Sequence, residues 1–122
     1  MGIDVLIVDD LTFIKMVLKD LVEKAGFRVV GEASDGEEAL RLFAEKRPDI
    51  VLLDITMPKM DGLTALRKIL EMDPEAKVIM CSALGQQRLI LQAIQMGAKD
   101  FIVKPFRPER VIGSIKKILD IQ

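Results

Sequence analysis

The sequence predicts an α/β domain: a doubly wound, parallel, five-stranded sheet of (βα)5 pattern with helices on both faces. Three observations carry this expectation. Short apolar runs alternate with longer stretches of helical periodicity through the whole chain. The runs are continuous rather than alternating, as in strands buried on both faces of a parallel sheet. Glycine or proline marks several of the junctions, where a helix must stop or a turn must form.

Each element follows in order. VLIV (5–8) is the first strand, and the stretch 12–25 then sets Ile14, Leu18, Leu21 and Ala25 along one stripe before Gly26 ends it. RVVGEA (28–33) is the second strand, and DGEEALRLFAEK carries Ala39, Leu40 and Phe43 at helical spacing. IVLL (50–53) is the third strand, and MPKMDG is a turn region before a helix over 63–72. KVIMC (77–81) is the fourth, followed by a helix over 86–96 that Gly97 ends. FIV (101–103) is the fifth, and after Pro105 a last helix covers 108–120.

With 122 residues and no long linker, low-complexity segment or internal repeat, one domain spanning 1–122 is expected. A net charge of −1 without any block of like charges gives no footing for nucleic acid or an anionic membrane. The first apolar run is too short for a signal peptide or a membrane span. A single cysteine, Cys81, excludes an internal disulfide framework, suits a cytoplasmic location and reads as a small core residue. Histidine is absent, which excludes imidazole as base, metal ligand or phosphate carrier.

The chemistry lies at the strand ends. In open parallel sheets, functional groups gather beyond the carboxyl ends of the strands, near the point where strand order reverses. Asp9 and Asp10 follow the first strand, Asp54 the third, Ser82 the fourth and Lys104 the fifth. Taken singly, the two acids after the first strand could cap a helix, Ser82 could be a loop hydroxyl and Lys104 a solvated lysine. Asp54 has the weakest plain reading, because it ends a buried run and is followed by Ile55 rather than by a turn. A carboxylate at the edge of a core is costly unless it is paired, hydrogen-bonded or bound to a cation. Three carboxylates together repel one another, and a hard divalent cation with oxygen ligands, Mg²⁺, relieves them. Lysine and a hydroxyl are suited to phosphate oxygens. The set reads as Mg²⁺-assisted phosphoryl chemistry with one carboxylate as acceptor.

VLIVDD, PDIVLLDITMPKMDG, CSA and FIVKPF resemble, in sequence and spacing over the whole chain, the receiver domain of bacterial two-component response regulators. The resemblance implies a flavodoxin-like fold with strand order 2-1-3-4-5. It implies that Asp54 accepts a phosphoryl group from a histidine kinase, the protein catalysing only its own phosphorylation and dephosphorylation. It implies Mg²⁺ held by Asp9, Asp10, Asp54 and the backbone carbonyl of Thr56. By the same token Ser82 is a switch hydroxyl, Lys104 the phosphate-binding lysine, with a cis bond to Pro105, and Phe101 the switch aromatic, here without a phenolic oxygen. Thr56 and Leu84 stand where family members influence the attacking water; neither is a carboxylate or amide, so a long-lived phospho-Asp54 is expected.

The helix over 86–96 has two apolar stripes: Leu89, Ala93 and Met96, and beside them Ile90 and Ile94. One stripe suffices to cover a sheet, so a partner-binding patch is expected at Ile90, Ile94, Phe101 and Val103. MGIDVLIVDD, CSALGQQ and KDFIVKPF resemble most the stand-alone chemotaxis regulators of this family. That implies a monomer whose output partner is the flagellar motor switch, with a phosphatase as a further partner. A phosphorelay intermediate or the isolated receiver of a DNA-binding transcription factor is the alternative. A haloacid dehalogenase-type phosphatase needs a second carboxylate where Thr56 stands. A flavodoxin-type FMN binder needs a hydroxyl-rich phosphate loop and a stacking Trp or Tyr, and the chain has neither residue.

Overall fold

Val5 to Val8 and Ile50 to Leu53 lie side by side at the centre of the sheet, fully buried, which is why neither run alternates with polar residues. The computed structural model describes residues 2–122. Its elements are β1 (Asp4–Val8), α1 (Thr12–Lys24), β2 (Arg28–Ala33), α2 (Gly36–Lys46), β3 (Ile50–Asp54), α3 (Gly62–Met72), β4 (Val78–Ser82), α4 (Gln87–Met96), β5 (Asp100–Val103) and α5 (Pro108–Ile118). The strands are parallel and lie in the order β2-β1-β3-β4-β5, as expected. Among the described residues no helix is long and apolar enough to cross a membrane.

Alternate residues of each strand feed two cores. Leu6, Val8, Val51, Leu53, Val78 and Met80 face Phe43, Leu66, Ile69 and Ala93 from α2, α3 and α4. Val5, Ile7, Ile50, Leu52, Ile79 and Ile102 face Leu18, Val22, Val111 and Ile115 from α1 and α5. The switch of the chain from one face to the other occurs between β1 and β3, whose adjacent carboxyl ends therefore open into a crevice.

Two boundaries differ in a way that matters. β4 runs one residue further than its apolar run, because Ser82 pairs with Val103 and its carbonyl accepts from the Lys104 amide at 2.7 Å. Asp54 likewise closes β3 in register with Cys81. Both polar residues are thus held by ladder geometry, not by a loop. The capping role open to Asp9 and Asp10 is not realised: Leu11 is the N-cap of α1 and no side chain caps it. Asp35 and Asp61 do cap, accepting from the amides of Glu38 at 2.9 Å and Thr64 at 2.8 Å.

The expected patch on α4 needs a correction. Ile90 is 8% exposed and packs with Ala93 into the core, whereas Leu91 is 63% exposed and Ile94 is half out. Ala93 is the small residue on which α4 settles, and Ile90, three positions earlier on the same face, goes down with it. The outward apolar face is therefore Leu91 and Ile94.

The loop from β3 to α3 is fixed by two close approaches. A Cβ on Gly62 would stand 2.3 Å from the Asp54 carbonyl oxygen and 2.6 Å from Ile55 Cα. A Cβ on Gly36 would stand 2.5 Å from Met60 Cβ. Lys59, at a positive φ of 68°, reaches Asp35 at 3.5 Å. Together they hold the segment after Asp54 against the start of α2.

Candidate functional site

Asp9, Asp10, Asp54, Ser82 and Lys104 all stand at the carboxyl edge of the sheet, as the sequence predicts. β1 delivers Asp9 and β3 delivers Asp54 because these strands are neighbours in register from Val5–Ile50 to Val8–Leu53. One carboxylate oxygen from each of Asp9, Asp10 and Asp54 lies within 4.8 Å of the other two. Asp9 is wholly buried and Asp54 is 3% exposed, while Asp10 opens to solvent.

Lys104 is brought over this group from β5. Its Nζ donates to Asp9 Oδ2 at 2.9 Å and stands 3.4 Å from Asp54 Oδ1. Asp9 Oδ1 accepts from the Leu11 amide at 2.9 Å, which holds the carboxylate so that its other oxygen meets the lysine. The Lys104–Pro105 bond is cis, as expected.

One ammonium cannot compensate two buried carboxylates. Burial first, and the neighbouring Asp9 charge second, push the Asp54 carboxyl up to about 6, against the opposing pull of Lys104 and the Thr56 amide. Burial works against the charge on Lys104, but its hydrogen bond to Asp9 and the Asp54 charge carry its pKa above the usual lysine value. The site is thus short of positive charge by about one unit or more. Three hard oxygen donors converging from two strand ends, with the exposed Asp10 leaving an open side, fit a divalent cation such as Mg²⁺ that keeps several waters.

Ser82 is buried one residue beyond the Asp54–Cys81 pair, on the strand beside β3. Thr56, two residues after Asp54, is exposed. Beside Ser82 a hollow of about 280 Å³ opens between β5 and the start of α4, lined among others by Ile90, Leu91, Phe101 and Val103. Phe101 is 38% exposed and lines this hollow. The expected partner patch is thus assembled in part: Ile90, Phe101 and Val103 share one hollow, and Ile94 lies outside it. Leu84 and Leu91, both strongly exposed, were not in the expected patch and border the same hollow. Taking Ala93 as the inward point of α4 would have shown Leu91 facing out.

A family model described as the response regulator receiver domain matches residues 5–116. The chemotaxis protein CheY of Thermotoga maritima is 54% identical over 118 residues, covering 97% of this chain and 98% of that protein. The chemotaxis protein CheY of Bacillus subtilis is 53% identical over 116 residues, covering 95% and 97%. Among solved structures, the CheX–CheY complex with BeF3 and Mg²⁺ from Borrelia burgdorferi superposes with a TM-score of 0.92 at 44% identity, covering 96% of this chain and 89% of that one.

Proposed function

The chain belongs to the response regulator receiver domain family, and from that membership we propose that it is a phosphorylation-gated signalling switch whose acceptor is Asp54. The observation that carries this reading is the convergence of three carboxylates within 4.8 Å under an ammonium that bridges two of them. A carboxylate so placed is shielded from bulk water yet short of cationic charge, which leaves it available as a nucleophile.

In the step proposed, an Asp54 oxygen forms a bond to the phosphorus of a phosphohistidine on a histidine kinase. The P–N bond breaks, and the imidazole nitrogen leaves with the electron pair and takes up a proton. Lys104 turns from its carboxylate contacts to a phosphoryl oxygen, and Ser82 donates to another. Mg²⁺ held by Asp9, Asp10, Asp54 and the Thr56 carbonyl would supply the charge that lets three acids and a phosphoryl group share one site. The protein turns over no outside substrate; it catalyses only the gain and loss of its own phosphoryl group.

Phosphorylation adds roughly one to two negative charges at this edge. Ser82 is drawn to the new oxygens, and Phe101 turns into the hollow beside it, repacking the face of α4, β5 and α5. The output partner is a protein that reads this face, and the relatives named as chemotaxis proteins support the flagellar motor switch, in the cytoplasm. The Borrelia complex, in which CheY is found with a second protein, supports a further partner, a role we assign to a phosphatase.

Acetyl phosphate with Mg²⁺ tests the reading: the intact protein gains the mass of one phosphoryl group, and Asp54→Asn does not. A gain that persists in Asp54→Asn, or none in either, overturns it. Thr56 and Leu84 present no carboxylate or amide to an attacking water, so the label is expected to outlast the few seconds typical of rapidly hydrolysing acyl phosphates in this fold; decay after removal of the donor measures it.

A further inference from the structure

We propose that Arg110 is a positioning residue for Phe101, holding its ring on the outer side of β5 and so opposing the switched state of the Asp54 site; this rests on the reading of Asp54 as phosphoacceptor. Its contacts all come from one side chain. Nη1 donates to Asp100 Oδ2 at 3.0 Å and Nη2 to Asp100 Oδ1 at 3.1 Å. Nη2 also donates to the Phe101 backbone carbonyl at 2.5 Å. The guanidinium carbon stands 6.0 Å from the centre of the Phe101 ring. Ser114, one turn further along α5, donates to Asp100 Oδ2 at 2.5 Å, so the carboxylate that aims the guanidinium is itself held. The planar fork is fixed at both prongs before it meets the ring.

Phe101 and Val103 form a wall between two hollows. The hollow toward α4, about 280 Å³, leads from Phe101 to Ser82 past Ile90 and Leu91. The hollow toward α5, about 470 Å³, carries Arg107, Glu109 and Arg110. A ring that turns toward Ser82 enters the first and leaves the guanidinium behind. The pairing of Arg110 with Asp100 and the backbone survives that turn, but the cation–ring attraction does not. Arg110 therefore interacts differently with the two ring positions, which is the requirement for biasing an equilibrium. An exposed cation–ring contact shifts such a ratio about two- to fivefold. Because the ring and the phosphoryl site are linked, the same factor reappears as resistance to occupancy of the site.

The experiment labels the five phenylalanines with 4-fluorophenylalanine, assigns Phe101 with a Phe101→Leu variant and follows its fluorine signal. In Arg110→Ala the resting signal is expected to move toward the position it takes with beryllofluoride and Mg²⁺, and to gain contacts to the Ile90 methyls. Affinity for beryllofluoride is expected to rise about two- to fivefold. Asp100→Asn, which removes the charge that aims the fork, is expected to move the signal in the same direction, and it serves if Arg110→Ala does not fold. A resting ring that stays put with no new contact to Ile90, or an affinity that is unchanged or weaker, overturns the proposal. If the unsubstituted protein shows no response to beryllofluoride, the reading of Asp54 falls. The resting contacts to Ile90 still decide on Arg110.

Discussion

The Asp54 carboxyl, raised by burial to about 6 from an ordinary 3.8, releases its proton in the folded chain only above the pH at which the unfolded chain releases its own. Without metal, this group therefore costs nothing below about pH 4 and destabilises the fold progressively as the pH rises to about 6. At neutral pH the cost is on the order of 2–3 kcal/mol. Asp54→Asn should recover most of it in EDTA and flatten that part of the stability profile, measured by urea unfolding from pH 4 to 8. Gly62 acts at the same scale. An alanine Cβ would meet the backbone of Asp54 and Ile55, which cannot step aside, so Gly62→Ala should cost about 2 kcal/mol or more and lower the yield of acetyl phosphate labelling. Asp54 was legible in the sequence because a carboxylate at the end of an apolar run has few inexpensive places to go. Arg110 was not, since nothing in RPERV marks it. Its meaning arises only when α5 folds back over β5 and brings residues ten apart into contact.

At the scale of elements, periodicity marked α4 as a helix but grouped Ile90 with Ile94 and apart from Ala93, whereas Ile90 and Ala93 turn inward together and Ile94 does not. Ile90 and Leu91 are adjacent, and a rotation of one residue exchanges them. What decides is Ala93, whose small side chain lets the helix approach the sheet. Leu91→Arg should therefore leave unfolding within about 0.5 kcal/mol of the parent while weakening capture of a phosphorylation-dependent partner. Ile90→Arg should destabilise by several kcal/mol, because it places a charge in the core. Unfolding curves and a beryllofluoride-dependent pull-down of the two variants separate these effects. The five strands, by contrast, were legible to within a residue or so: β1, β3 and β4 are buried on both faces and tolerate no polar interruption, while β2 and β5, at the sheet edges, are partly exposed.

Over the whole molecule, two cores are joined by a single sheet, and the acidic crevice lies where their helices part. A cation bound there ties β1 to β3 in the folded chain and has no comparable site in the unfolded one. Mg²⁺ at about ten times its dissociation constant should stabilise the domain by about 1.4 kcal/mol, or about 5 °C in Tm for a chain of this length. Thermal unfolding with and without Mg²⁺ measures it, and Asp10→Asn should reduce the response, since the exposed carboxylate can be removed without opening the core. The strand order was legible only through family likeness; hydrophobic pattern alone does not say which strands are neighbours.

Cys81 is paired with Asp54 across the ladder and sealed beneath it. Burial, together with the adjacent carboxylates, raises its thiol above the usual range, so a disulfide reagent finds no thiolate to attack while the sheet is closed. This sole sulfhydryl is consequently a native reporter: the rate at which it is alkylated counts how often the central strands come apart.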